Sequence, residues 1–263
     1  MNKTISREEL QKLESFIGYG KPNAEIIFFG LEEAGGGIEN LKTRLSISDY
    51  EYLDCRRFHL DHLIHKNPYK LHSEDENAMV NFQPVWKFMS YIMLKLENRS
   101  DQEIFKNNSQ LLRNYQNNYL GAKSEKGKTL LTEIYPIPCS SLKHWGTKSE
   151  SYTNLIPYYK DKKTYKKKVL PKRLKAFKNL MDSNNFQAQT IICYGKSHWS
   201  SFKTFFKELN VEFDKFELSK PCEKGNLSNG TSIYLLPFLG NGQVSYDFLN
   251  ELVKEIKQVS YAT

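Results

Sequence analysis

The feature that most constrains the fold is an apolar run at residues 26–29, which is followed by Gly30, two glutamates and three glycines. An apolar run without alternation is typical of a strand buried on both faces, as in a parallel sheet. In open α/β sheets the ligand site lies at the carboxyl ends of the strands. Glu32 and Glu33, beside glycines that let a ligand approach the backbone, therefore form a candidate active site. The alternative is a tight turn that carries two solvated glutamates.

Three further apolar runs repeat this pattern along the chain. The predicted strands are residues 24–30, 129–141, 188–195 and 231–237, and 211–218 is a candidate short strand. The first strand is expected to end at Gly30 and the second to break at Pro136 and Pro138. Strands that alternate with helices predict one α/β domain over residues 1–263. Its expected architecture is a three-layer α/β/α sandwich around a central four-stranded, mainly parallel sheet.

Helical periodicity fills most of the segments between these strands. A capping box formed by Ser6 and Glu9 begins the first predicted helix, and Pro171 is expected to begin another. The remaining predicted helices cover residues 82–97, 101–116, 197–209 and 244–257.

Residues 38–80 are interpreted as a long polar and aromatic insertion, and long ordered insertions above a sheet are usually functional. The spacing of His59, His62 and His65 can place two imidazoles on one helical face together with Cys55. The segment lacks the glutamate of a His-Glu-x-x-His site, so the favoured interpretation is that these residues line a cleft or cap a helix. We predict no metal and no cofactor.

Charge and aromatic content favour nucleic acid as the partner. The formal net charge is +8, with 16 Tyr and 16 Phe, and phosphates attract Lys and Arg whereas bases stack on aromatic rings. The four widely spaced cysteines favour free thiols in a reducing cytosol over an iron–sulfur site. The charged N-terminus and the absence of a membrane-length apolar stretch predict a cytoplasmic protein with no membrane partner. We expect a monomer.

The strongest local charge signal is a basic segment at about residues 158–178. Residues 160–178 contain ten Lys or Arg against one acid, Asp161, with tyrosines interleaved. A solvated helix face usually carries both signs, so this excess favours contact with a nucleic-acid backbone. A disordered basic loop or an acidic protein partner is the alternative. The candidate DNA contacts, with the anion-binding helix start and the turn after the last strand included, are Lys163, Lys166, Lys167, Lys168, Lys172, Arg173, Lys196, Ser197 and Leu239.

The strand ends resemble those of the uracil-DNA glycosylase superfamily. That family's first motif is a strand ending in Gly, any residue, then Asp, Asn or Ala, followed by Pro and Gly or Tyr. Residues 30–34 fit this frame, with Glu32 in the position of the water-activating acid and Glu33 in place of Pro. Residues 131–135 resemble the second strand, with Glu133 where the family has a base-reading Asn. Residues 193–196 resemble the third strand's turn.

The fourth family motif, His-Pro-Ser followed by a wedge loop, corresponds to residues 237–242, which contain no histidine. Asn241 is the candidate hydrogen-bond donor in its place. The resemblance implies catalytic roles for Glu32 and Asn241. The candidate substrate-binding residues are Gly30, Leu31, Glu33, Gly35, Gly36, Glu133, Tyr135 and Phe58.

The resemblance implies a monofunctional DNA glycosylase that hydrolyses the N-glycosidic bond of a flipped-out base and leaves an abasic site. Glu32 would orient or deprotonate the water, and Glu133 would read the base edge. A carboxylate only accepts hydrogen bonds, so it suits cytosine N4 and repels the carbonyl oxygens of uracil. We therefore expect a modified base, such as a modified cytosine in phage DNA, and an antiviral role. The alternatives are a non-catalytic nucleic-acid binder on the same fold and a small-nucleotide hydrolase.

Overall fold

The computed structural model describes residues 4–62, 74–75 and 78–260, which build a mixed sheet of eight strands. The α/β class predicted from the sequence is confirmed. In chain order the strands are β1 (Gly18–Gly20), β2 (Ile26–Ala34), β3 (Tyr52–Leu53), β4 (Thr129–Cys139), β5 (Thr190–Tyr194), β6 (Asp214–Glu217), β7 (Pro221–Asn226) and β8 (Ser232–Leu236). Across the sheet their order is β3-β1-β4-β2-β5-β8-β7-β6.

The prediction of a four-stranded sheet is wrong in its count. The four predicted strands do form the parallel centre, β4-β2-β5-β8. Two short strands extend this centre on one side, where β1 pairs antiparallel with β4. The hairpin of β6 and β7 extends the other side, antiparallel to β8. Strand β6 lies within the candidate short strand predicted at residues 211–218. Short, glycine-containing strands such as β1 carry little periodic signal, which is why the sequence pattern did not reveal β1.

Eight α-helices occur in the described part of the chain. They are α1 (Arg7–Ser15), α2 (Ile38–Ser46), α3 (Cys55–Arg57), α4 (Pro84–Leu96), α5 (Asp101–Asn118), α6 (Lys162–Met181), α7 (Trp199–Lys207) and α8 (Tyr246–Ser260). The capping box of Ser6 and Glu9 is present at the start of α1. Helix α5 is interrupted by non-helical backbone at residues 106–109. Of the helices in the described part of the chain, none is long and apolar enough to cross a membrane.

Buried phenylalanines on β2 show why this strand lies at the centre. The ring of Phe29 packs against Phe177 of α6 at 5.3 Å and against Phe205 of α7 at 5.2 Å. Phe28 points to the opposite face of the sheet and is also fully buried. Both faces of the parallel centre are therefore covered, as the unbroken apolar run predicted.

The predicted end of the first strand at Gly30 is wrong, because β2 continues to Ala34. Gly30 is a paired strand residue opposite Glu133 of β4. A Cβ atom at Gly30 would lie 2.1 Å from Glu133 Oε2. The glycine is therefore explained by the neighbouring side chain that lies over it rather than by a turn.

Strand β4 likewise runs through Pro136 and Pro138, where a break was predicted. The pairing of β2 with β4 becomes irregular here, between Glu32 and Ala34. Prolines are tolerated at such irregularities because a ladder hydrogen bond is already missing. Beside them, the amide of Ile137 donates to the hydroxyl of Tyr165 at 2.9 Å instead of to a strand.

Two further predictions about the connecting segments need correction. Helix α6 begins at Lys162, with Asp161 as its N-cap, and passes through Pro171 rather than beginning there. The described part of the 38–80 insertion is not irregular, since it contains α2, β3, α3 and a π-helical turn at Phe58–His62. His65 and His72 lie outside the described residues.

Candidate functional site

Glu33 belongs to a buried structural network. Both of its carboxylate oxygens accept hydrogen bonds from Arg44 Nη2 at 2.8 Å, and Tyr19 donates to Oε1 at 3.0 Å. The Arg44 side chain is completely buried and also donates to Asn40 and Tyr50. Glu33 is thus the counter-ion of an internal arginine, which accounts for an acid at this position. Its predicted contact with substrate receives no support from this geometry.

Glu32, the next residue towards the N-terminus, has a different environment. Its side chain is 2% exposed, and Lys162 Nζ donates to Oε1 at 2.5 Å. Among the described residues nothing forms a hydrogen bond with Oε2, although Lys166 Nζ lies 3.9 Å away. Burial raises the pKa of Glu32, and Lys162 and then Lys166 oppose this rise. One oxygen is therefore anchored and the other is unpartnered.

Glu133 is the second acid of the site. Its Oε1 accepts a hydrogen bond from Tyr194 at 3.3 Å, across the space left by Gly30. Its Oε2 is shielded from solvent and has no hydrogen-bond partner within the described ranges. Burial raises the pKa of Glu133 well above its usual value, and the negative charges of Glu33 and Glu32 raise it further. Glu133 is therefore neutral at a pH where an exposed glutamate is ionised.

These acids meet at the position where open α/β sheets bind ligands. The chain places β4 on one side of β2 and β5 on the other, so the winding direction changes at β2. Ligands bind outside the carboxyl ends of the strands at such a switch point. Glu32, Glu133 and Tyr194 lie on the three strands concerned, and the charge of Glu32 acts on Glu133. Neighbouring buried acids with unpartnered oxygens are typical of functional sites, because unsatisfied buried polar atoms are otherwise rare.

Several predicted substrate contacts are instead packed inside the protein. Phe58 is buried and stacks under the guanidinium of Arg44 at 4.8 Å, and Leu31 belongs to the core. Gly36 has a φ of +87°, and a Cβ there would lie 2.6 Å from the carbonyl oxygen of Pro138. Gly36 is therefore constrained by its packing against β4. Tyr135 does lie at the site, with Lys166 Nζ 4.8 Å above its ring.

The turn after β8 differs from the prediction in two residues. Leu239 is completely buried, so its predicted role as a DNA contact is wrong. Its neighbour Phe238 is 44% exposed, and its ring lies 6.2 Å from that of Tyr194. Asn241 is exposed and accepts a hydrogen bond from Lys87 Nζ at 3.1 Å, and this contact does not connect it to Glu32.

The basic segment divides into surface and internal cations. The predicted DNA contacts that are exposed are Lys163, Lys167, Lys168, Lys172, Lys196 and Ser197. Lys172 pairs with Glu14 at 2.5 Å. Arg173 is buried and donates to the backbone oxygens of Phe16 and Glu133, so its assignment to the DNA surface is wrong. A basic run hides this division because charge alone does not show which side of a helix is inside.

Lys166 connects the basic helix to the candidate site. Its charge adds to burial in lowering the pKa of His198, so α6 and the start of α7 approach each other at the carboxyl edge of the sheet. Lys196 Nζ lies 5.9 Å from the ring centroid of Trp199 in the same region. Two cations, Lys166 and Lys196, therefore lie near the carboxyl ends of β2 and β5.

No group of three His, Cys, Asp or Glu side chains suited to a metal ion occurs within the described residues. His59 is buried, with Nδ1 2.8 Å from the carbonyl oxygen of Cys55. The four cysteines are buried and free. The interpretation of the three histidines stays a prediction, because His65 lies outside the described part of the chain.

The sequence pattern did not single out three residues that contact the acids of the site: Lys162, Tyr194 and Arg44. Lys162 was one of many lysines in a basic run, and Tyr194 was one of many aromatics after a strand. Tyr194 directly precedes Gly195 at a predicted strand end, and this position was a signal that sequence reasoning could have used.

Comparison of the chain with protein-family models, with curated proteins and with solved structures finds no match. The class that the structure itself defines is an α/β protein with an acidic site at the switch point of its parallel strands.

Proposed function

We propose that this chain is a DNA glycosylase that hydrolyses the N-glycosidic bond of a flipped-out, modified base and leaves an abasic site. The observation that carries the proposal is the pair of buried carboxyl oxygens, Glu32 Oε2 and Glu133 Oε2, that have no hydrogen-bond partner among the described residues. Two acids beside a scissile bond can divide the work of activating water and binding the leaving base. The proposal includes a three-layer arrangement around the parallel centre and a cytoplasmic monomer that acts on DNA.

In this mechanism Glu32 orients or deprotonates the attacking water through Oε2. Its ionised form is required, and the ammonium of Lys162 favours that form in a buried position. The sugar develops oxocarbenium character as the bond to the base breaks, and a nearby carboxylate stabilises that charge.

In this mechanism Glu133 binds the base edge, and its protonation state decides which hydrogen bonds it can form with the base. A carboxylate would accept hydrogen bonds only, but burial and neighbouring acids favour the neutral carboxyl group. A neutral carboxyl group donates one hydrogen bond and accepts another, as an amide does. It can therefore pair with the N3 and N4 edge of cytosine or with the O4 and N3 edge of uracil. The proposed substrate remains a modified pyrimidine. Uracil is no longer excluded, and it serves as a comparison substrate in the assay.

The DNA backbone would contact the exposed lysines of α6 and Lys196, since α6 begins beside Glu32 and Lys196 follows the end of β5. Phe238 takes the place proposed for Leu239, because an exposed aromatic ring beside the site can stack in the space that a flipped base leaves.

The function is tested with duplex and single-stranded oligonucleotides that carry cytosine, a 5-substituted cytosine or uracil, followed by alkaline cleavage of abasic sites. We expect the wild type to release the modified base and Glu32→Gln to lose about 10²–10⁴-fold in rate. Mass spectrometry identifies the released base. Glu39→Gln is the matched control, because Glu39 is exposed and pairs only at the surface with Lys42. Retained activity in a folded Glu32→Gln variant would remove Glu32 from the mechanism.

The second candidate is a non-catalytic nucleic-acid binder on the same fold. The near-complete burial of Glu32 against Lys162 favours it, because such a pair can simply tie α6 to β2. This function predicts salt-dependent DNA binding with no released base from any substrate. Binding that Glu32→Gln leaves unchanged, with no abasic sites from the wild type, would favour this candidate.

A further inference from the structure

Lys162 is held by three hydrogen bonds at once. Its Nζ donates to Glu32 Oε1 on β2 at 2.5 Å, to the carbonyl oxygen of Ser141 at 2.7 Å and to that of His144 at 3.0 Å. An ammonium group has three hydrogens, so these bonds use its full donor capacity. Lys162 is therefore a fully bonded cation rather than a free amine.

The position of this ammonium is fixed by how α6 begins. Asp161 is the N-cap and accepts a hydrogen bond from the amide of Thr164 at 2.7 Å, which makes Lys162 the first residue of the helix. Tyr165, one turn later, is buried and binds the amide of Ile137 on β4. The helix start is thus attached to the strand beside the site, and Lys162 cannot swing away without breaking these contacts.

This arrangement has two consequences for Glu32. Lys162 donates to Oε1 alone, and Oε2 has no hydrogen-bond partner among the described residues. The groups that act on its charge are Lys162 and Lys166 from α6 and Glu133 from β4, with Cys139 also close. Lys162 is the closest of the cations, since Lys166 Nζ lies 3.9 Å from the other oxygen.

We propose that Lys162 is a positioning residue that holds Glu32 ionised in its buried place and leaves Oε2 free to act on the substrate. This inference rests on the proposed function, because it assigns a role to the partner of the acid that the mechanism uses. It also makes a statement about Glu32 that can be measured without any substrate.

The decisive experiment is a ¹³C NMR titration of the side-chain carboxyl of Glu32 in protein labelled at glutamate, with Glu32→Gln used to assign the signal. In Lys162→Met, which keeps an unbranched side chain without charge, we expect the titration midpoint of Glu32 to rise by about one pH unit or more. The pH at which glycosylase activity begins should rise with it, so that activity falls about tenfold or more at pH 7 and recovers at higher pH.

Lys254→Met is the control, since Lys254 is an exposed helical lysine on α8. Lys162→Arg keeps the charge but not the three-point geometry, because a guanidinium is a planar fork. We expect Lys162→Arg to keep the Glu32 midpoint near that of the wild type and to lower kcat about tenfold with KM unchanged. This variant also decides the question if Lys162→Met does not fold.

An unchanged Glu32 midpoint in Lys162→Met would overturn the inference, as would a rate reduced equally at every pH. A wild-type kcat in Lys162→Arg would overturn the positioning role. If the wild type releases no base from any DNA, the proposed function fails, and the NMR titration still decides whether Lys162 keeps Glu32 ionised.

Discussion

Glu32 and Glu33 are adjacent in the chain, yet their surroundings differ in one decisive respect. Both carboxylate oxygens of Glu33 accept hydrogen bonds, since Arg44 donates to each of them and Tyr19 adds a third contact. Glu32 has one bonded oxygen and one without a hydrogen-bond partner in the described structure. A buried charge is tolerated when it is fully paired. A partly paired buried charge is costly, so it is expected mainly where it has a function.

The comparison teaches that two identical residues can serve stability and chemistry separately. The Glu33 side is closed by aromatic rings, with Arg44 4.8 Å from the centroid of Phe58. The Glu32 side adjoins Glu133, whose unpartnered oxygen extends the polar space. Substitutions on the Glu33 side are expected to change stability, and substitutions on the Glu32 side are expected to change its dependence on pH.

The largest effect on stability is expected on the Glu33 side. Arg44→Met should lower the free energy of unfolding by about 3–5 kcal/mol, because it leaves the carboxylate of Glu33 without its buried counter-ion. Urea unfolding followed by circular dichroism measures the loss. The exposed pair of Lys42 and Glu39 supplies the control, and Lys42→Met should change stability by no more than about 0.5 kcal/mol. A loss no greater than that of the control would show that the network around Glu33 contributes little.

A smaller effect on stability is expected from Gly30→Ala. The new Cβ would meet Glu133 Oε2 at 2.1 Å, so the carboxyl group must turn away. We expect a cost of about 1–3 kcal/mol, as for other overpacked sites. In a Glu133→Ala background the same change should cost less, and a double-mutant cycle of unfolding energies measures the coupling. Equal costs in both backgrounds would mean that Glu133 is not what requires the glycine.

The third prediction is a pH dependence on the Glu32 side. The folded-state pKa of Glu133 is raised above its unfolded value, so the folded protein holds the proton more tightly. The resulting stability is fully present below about pH 4.3 and is lost as the pH rises through the folded pKa. Glu133→Gln removes this titration, so its stability relative to the wild type should increase with pH. Urea unfolding from pH 4 to 9 tests this, with Glu39→Gln as the control, and parallel pH curves would contradict it.

The parallel centre of the sheet could be predicted from the sequence because continuous apolar runs such as residues 26–29 are typical of a strand buried on both faces. The ends of these strands could not. Gly30, Pro136 and Pro138 were interpreted as breaks by local chemistry, whereas their pairing decides their conformation. Gly30 is dictated by Glu133, which is about a hundred residues away in the chain, and no local pattern encodes that contact.

The same division holds for the candidate site. Acids at strand ends identified Glu32 and Glu133 from the sequence, because polar residues at the end of an apolar run have to lie at the sheet edge. Their pKa values depend on tertiary neighbours: burial raises both, Lys162 opposes the rise at Glu32, and the charges of Glu33 and Glu32 add to it at Glu133. The basic segment shows the converse, since its composition was evident but the burial of Arg173 was not.

Patterns of neighbouring residues are enough to predict the α/β class, the four central strands and the acidic residues at their carboxyl ends. They do not show that Glu33 pairs with Arg44, or that Glu32 Oε2 has no hydrogen-bond partner in the described structure. The physical reason is that the energy of a buried charge is set by the groups that surround it in space. Those groups come from β2, β4, α2 and α6, which the fold brings together and the chain order keeps apart.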